Sequence, residues 1–423
     1  MPKKTLKILI IILFAIVIGL FIAAFFISKD GTTGDVSSIG DNGIFGGFFS
    51  GSGGDSGSSG GIGGSGSGGS SGSGGGNGSL FEDGRDGGEK KLPVLRKITD
   101  GPVSGAVIFD RDKNTLVRYM EKATGHIYEV NIKETNPVRI SNTTVPRVYE
   151  TLWSTDGKLF VARYLDDETE VIKSFGGSVN TETNELDGAF LVDGINQMAI
   201  SQESNRVFYL SDSGDGGVNG IASGFRGEDK SQIFSSEFSE WLFTWPRVRN
   251  VALTTKPSSG VPGSMYFLNT QNGAFDKILG DINGLTTATS PNTSRVLYSE
   301  SLRTKTIKLR LYDVPTDKAK DIDVVTLPEK CVWTSDSDII YCGVPTIISR
   351  ADYPDEWYQG LVSFADDVWK IDIKNGFVDL LAIPVELVGE EVDLINPILS
   401  PNEDYVIFTN KKDSSLWSLS LTE

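Results

Sequence analysis

"WSTDGKLFVARYL", residues 153–165, reads as an apolar strand, a tight polar turn and a second apolar strand. Six further stretches share the pattern: "IFDRDKNTLVRYM" (108–120), "AISQESNRVFYL" (199–210), "FTWPRVRNVALT" (243–254), "ATSPNTSRVLYS" (288–299), "VWTSDSDIIYC" (332–342) and "ILSPNEDYVIFT" (398–409). The residues just before the turns are Asp110, Ser154, Ser201, Trp245, Ser290, Thr334 and Ser400, spaced by 44, 47, 44, 45, 44 and 66. A recurrence of about 40–45 residues with two clear strands per unit is the signature of a four-stranded blade. The expectation is an all-β, seven-bladed β-propeller.

The remaining strands are legible in several units. Third strands are expected at 126–132, 264–270, 307–314, 367–373 and 415–421, and fourth strands at 137–142, 274–279 and 322–327. The seventh unit shows no fourth strand, whereas "PVLRKIT" (93–99) precedes the first with no blade of its own. It is expected to pair beside 415–421 and close the ring, which removes the exposed sheet edges that invite aggregation. The long spacing of 66 places an insertion at 344–365, inside blade six.

Composition narrows the functional classes. With 39 Lys and Arg against 56 Asp and Glu, the net charge is −17. Such a surface repels nucleic-acid phosphates, so no nucleic-acid partner is expected. Two cysteines and one histidine leave little material for zinc sites or histidine-based catalysis. No metal and no cofactor are expected.

Before the repeats lie two different segments. Residues 6–27, "LKILIIILFAIVIGLFIAAFFI", carry a single charge, Lys7. As a helix they span roughly 33 Å at ~1.5 Å per residue, enough for a hydrocarbon core of ~30 Å. Lys3, Lys4 and Lys7 lead the run, which puts the stub 1–5 in the cytoplasm and the rest outside. The apolar run is longer than that of a signal peptide, and "FFISKDG" offers no small-residue cleavage site. This reads as a transmembrane signal-anchor helix in the cell membrane. Residues 28–91 are Gly/Ser-rich and read as a disordered tether, since such a chain has too little to bury on ordering. Within it "GIFGGFFSG" (43–51) is aromatic: a sticker for the interface or a partner, or a drifted linker. Residues 92–423 form the propeller.

The turns "WSTDG", "TSPN" and "LSPNED" resemble the WD40-like repeats of the periplasmic Tol-system propeller and of prolyl-oligopeptidase-type peptidases. "KATGHIYEVN", "ALTTKPS" and "YPDEWYQGLVSFADDVWKID" are similar to a set of membrane-anchored bacterial propellers, over nearly the whole chain. The first resemblance implies a fold; the second implies the anchor-tether-propeller plan. Neither implies an activity. Regular Gly-His and Trp-Asp pairs of true WD40 repeats are absent, and no hydrolase domain is recognisable beyond the last repeat.

Few residue patterns point to chemistry. His126 opens a strand with no nucleophile elbow near it, and reads as structural. Asp366 and Asp367, like Glu390 and Glu391, are adjacent, and neighbours on a strand face opposite ways. "DSGDGGVNG" (212–220) holds Asp212, Asp215 and Asn219 but lacks the spacing and closing glutamate of a calcium loop. No catalytic residue is assigned. Cys331 and Cys342 flank a turn. A two- or four-residue loop sets them opposite each other within disulfide range, while a three-residue loop turns them to opposite faces. In the insertion, Tyr353, Asp355, Glu356, Trp357 and Tyr358 bring aromatics and carboxylates together. They read either as a recognition surface or as anchors that tie the loop to the propeller rim.

The expected protein is a membrane-anchored, extracytoplasmic binding or scaffolding module of the bacterial cell envelope, taking an envelope protein or extracellular ligand. The alternative is a carboxylate-dependent glycan or peptide hydrolase or lyase working in the channel. It requires ionisable groups converging at the channel mouth.

Overall fold

The repeated turn is held by its first side chain. Ser154 Oγ accepts from the amide of Leu159 at 2.9 Å and donates to Asp156 at 2.7 Å. Thr334 does the same with Ile339 and Asp336, Ser290 with Arg295 and Asn292, and Ser400 with Tyr405 and Asp404. A short hydroxyl that bonds the backbone locally favours turns over ladders, which is why Ser and Thr recur there. Three residues on, each turn enters the left-handed region: Gly157 (φ 68°), Thr293 (59°), Ser337 (66°) and Glu403 (58°). The β-branched Thr293 is the costliest of these. Thr293→Gly is therefore expected to raise stability by about 0.5–1 kcal/mol, read by denaturant unfolding.

The computed structural model describes residues 92–247 and 249–422. They form seven four-stranded antiparallel sheets. From inner to outer strand, blade one is Val103–Arg111, Asn114–Glu121, Ile127–Asn131 and Val138–Arg139. Blade two is Val148–Trp153, Leu159–Leu165, Ile172–Asn180 and Glu185–Phe190, and blade three Met198–Ile200, Arg206–Asp212, Val218–Gly224 and Ser231–Ser236. Blade four is Trp241–Arg247, Asn250–Thr255, Pro262–Asn269 and Phe275–Asn283, and blade five Thr287–Thr289, Arg295–Ser301, Ile307–Asp313 and Lys318–Asp321. Blade six is Cys331–Trp333, Ile339–Pro345, Asp366–Asp372 and Phe377–Ala382. Blade seven takes Leu394–Leu399, Tyr405–Asn410 and Leu416–Ser420, and is completed by Leu95–Lys97 in the register Leu95↔Leu419. The ring thus closes with the N-terminal strand outermost.

The core lies between blades. Seven apolar clusters fill the seven interfaces; Phe208, Trp241 and Phe243 pack blade three on four, and Tyr341, Val406 and Trp417 pack six on seven. Each large apolar side chain buried there contributes about 1.5–3 kcal/mol. An eighth cluster lies under the insertion.

One strand differs from expectation. Blade five's outer strand is Lys318–Asp321, not 322–327. All four of its residues are exposed, so hydrophobicity carried no sign of it. The apolar segment that follows crosses to blade six, burying Val324 and Leu327. The stub 1–5, the anchor 6–27 and the tether 28–91 lie outside the described residues. No helix among the described residues is long and apolar enough to cross a membrane.

Candidate functional site

Blade six departs most from its sisters. Its insertion leaves Pro345, lies along neighbouring blades and returns at Asp366. Ala351 N donates to Lys305 O at 3.0 Å, Lys305 pairs with Asp352 at 3.0 Å, and Ser301 donates its hydroxyl to Tyr353 O. Reaching further, Asp355 Oδ2 accepts from Ser259 N of blade four at 2.7 Å. The segment is strapped over two blades.

The five insertion residues singled out by sequence serve this strapping. Tyr353 and Trp357 are buried and stack on Phe364. Glu356 accepts from Asp352 N, and Tyr358 donates to Glu329. Of the two readings, exposed recognition aromatics require Tyr353 and Trp357 at the surface, and burial of their apolar area has drawn both beneath it. The large apolar side chains the insertion does expose are Ile347 (78%) and Leu361 (70%).

Beneath it sits a charged cluster that sequence reasoning missed. Lys330, at the end of the single turn Pro328–Lys330, has 0% exposure. Its ammonium lies 2.7 Å from Asp366 Oδ2 and 2.5 Å from Asp393 Oδ1, with Trp357 and Phe364 rings about it. Asp393 also accepts from Trp357 Nε1, Ser363 Oγ and Phe364 N. Among the described residues, Asp366 accepts only from Leu394 N besides Lys330, and its buried Oδ1 has no hydrogen-bond partner.

These inequalities set the charges. Burial pushes the Asp366 carboxyl up to about 7, against the pull of Lys330. Burial acts on Asp393 too, but Lys330 and the hydrogen bonds outweigh it and hold that carboxyl below its ordinary value. Burial opposes the Lys330 charge, yet the two aspartates raise its pKa. One ammonium cannot fully stabilise two carboxylates, and the one with more donors stays ionised. Glu329 is raised by its burial, although Tyr358 and Thr286 donate to it. The only sequence sign of the cluster was Asp366 itself, whose neighbour Asp367 faces the other way and is less buried, as strand alternation requires.

The other candidates are structural. His126 Nε2 lies 3.2 Å from Thr144 Oγ1. Asp212 and Asp215 accept from Gly214 N and Gly217 N inside the hairpin of blade three, and Asn219 accepts from Gln232. Cys331 and Cys342 are register partners with sulfurs 2.15 Å apart. The four-residue loop, closed by Thr334 N to Ile339 O, sets that register. In blade one, burial pushes the Lys122 ammonium down to about 7. The unfolded chain then binds the extra proton between about 7 and the ordinary lysine value, so stability rises with pH across that window. Lys122→Met is expected to raise the melting temperature at pH 7, with the gain shrinking towards pH 10, followed by thermal melts across pH.

Among the described residues no three His, Cys, Asp or Glu side chains are placed to hold a metal ion. The open depressions are shallow and polar; one of about 370 Å³ is lined by Glu203, Arg247, Arg249, Asn250 and Thr293, at the inner turns of blades three to five.

These features define a seven-bladed β-propeller with a strapped insertion. No protein-family model matches the chain, and no curated protein does either. Among solved structures it is similar to an oligogalacturonate lyase in complex with manganese, at TM-score 0.54 and 11% identity over 78% of this chain and 93% of that one. The tricorn protease matches at 0.50 and 10%, over 78% of this chain and 34% of that one. TolB from Acinetobacter baumannii matches at 0.42 and 10%, over 75% and 79%. All are propeller proteins, and at such identities the shared property is the fold.

Proposed function

We propose that this chain is a membrane-anchored, extracytoplasmic propeller that binds a protein partner in the cell envelope, with blade six as its docking rim. One observation carries the reading. Among the described residues, seven of the 17 large apolar side chains left exposed fall within blade six and its flanks: Ile347, Leu361, Phe377, Leu380, Leu381, Val385 and Leu387. Apolar exposure gathered along one stretch of chain supports an interaction surface there, whereas single exposed residues do not. The strapping and the buried ions beneath hold that rim in place, and pre-organised surfaces lose less entropy on binding. An anchor at 6–27 and a tether at 28–91 raise the local concentration of any partner in the same membrane.

The carboxylate-dependent alternative draws less support. Glu329 and Asp366, whose pKa values are raised, sit beneath the insertion rather than at an open mouth. The test is photo-crosslinking in cells from Leu361 and from Leu380. One recurring protein adduct is expected from both positions, lost on Ile347→Asp. Absence of any adduct from either position removes the reading.

A further inference from the structure

Lys330, Asp366 and Asp393 form a reactive geometry as well as an ion cluster. The amine nitrogen is within 2.7 Å of an Asp366 oxygen, and no solvent reaches it. The two aspartates differ in a way that assigns roles. Asp393 is held by five contacts, from Lys330, both oxygens' approach to Trp357 Nε1, Ser363 and Phe364 N. Asp366 Oδ2 is likewise held, by Lys330 and by Leu394 N at 2.6 Å. Of the two carboxylates, Asp366 Oδ1 is the oxygen that is buried with no partner among the described residues. An orphaned buried oxygen is costly, and a native site that keeps one calls for a reason.

We propose that Lys330 and Asp366 condense to an intramolecular amide, with Asp393 carrying the proton. The Lys330 ammonium first passes a proton to the Asp393 carboxylate 2.5 Å away, an uphill transfer against the charges the cluster favours at rest. The freed Nζ attacks Cγ of protonated Asp366, forming the C–N bond. One of the two remaining Nζ protons passes to the Oδ1 hydroxyl on the same carbon, the C–Oδ1 bond breaks, and Oδ1 leaves as water. One proton stays on the amide nitrogen, and Asp393 ends protonated. No oxidant, reductant or cofactor takes part. The oxygen expelled is the one the fold leaves unbonded.

Four features favour the step. Fixed approach of amine and acid raises their effective concentration by many orders of magnitude over free solution. A dry site shelters the product from hydrolysis. The aromatic faces at 5.2 and 5.0 Å, with the opposing charges, hold the nitrogen beside Asp366. Burial that raises the Asp366 carboxyl to about 7 also leaves a protonated fraction at neutral pH. The product joins the entry to blade six to its third strand, enclosing the whole insertion.

The experiment is the intact mass of the full chain, purified and reduced. The wild type is expected to be lighter than its sequence by one water, and digestion to release one branched peptide joining Lys330 to Asp366. Asp366→Ala and Lys330→Met are expected to show full sequence mass, and Asp393→Asn to lower the linked fraction at least tenfold. Wild-type protein that is folded by circular dichroism yet has its full mass overturns the proposal. A water loss mapping to other residues overturns it equally. The wild-type measurement stands even where a variant fails to fold.

Discussion

Lys330→Met is expected to lower folding stability by about 3–5 kcal/mol, because it leaves two buried aspartates without the Lys330 nitrogen that holds them, as ammonium or as amide. Lys411, 5.2 Å from the centre of the same Trp357 ring, acts on Asp393 through its charge, but Asp366 has no second cation among its partners in the described residues. The methionine fills similar volume, so the loss measures the charge and bonding of Lys330 rather than a cavity. Denaturant unfolding of the two proteins at pH 7 gives the difference. A change below about 1 kcal/mol, the worth of an exposed pair, means that the cluster is solvated in solution. The same cluster roots the insertion, so the variant is also expected to expose residues 346–365 to proteolysis before the blades themselves unfold.

Gly105→Ala is expected to cost about 3 kcal/mol or more, the upper end for overpacking. Gly105 is on the inner strand of blade one, and a Cβ there falls 1.9 Å from the carbonyl oxygen of Thr151, on the inner strand of blade two. The obstacle is backbone on both sides, so no rotamer relieves it. Gly176 meets Phe225 O at 1.6 Å in the same way between blades two and three. Thermal melts of both variants test the point, with no loss in either implying that the blades stand further apart. By contrast, a Cβ at Gly260 meets nothing, and Gly260→Ala serves as the neutral control.

Those glycines show how unevenly the structure was legible. Seven turns at a near-constant spacing announced seven blades, and Ser154, Ser290, Thr334 and Ser400 do in the fold what short hydroxyls do in any turn. The spare strand at 93–99 was readable because a closed ring must use every strand. The outer strand of blade five was not, since Lys318–Asp321 carries no apolar alternation, and the apolar run beside it was needed to cross between blades.

At the candidate site the balance reverses. Trp357 and Tyr353 were visible as aromatics in an insertion, but whether they faced water or core depended on what lay beneath them. Lys330 and Asp393 were not visible at all: 63 residues separate them, and neither sits in a spacing that marks chemistry. What the sequence determined by itself is what local rules and counting settle, namely the strand-turn-strand unit, its number, the closing strand and the place of the insertion. What only the tertiary structure decided is which groups are dry and adjacent. Burial and pairing of charges depend on contacts between distant blades, and there a carboxylate's neighbours, more than its identity, set its charge and its chemistry.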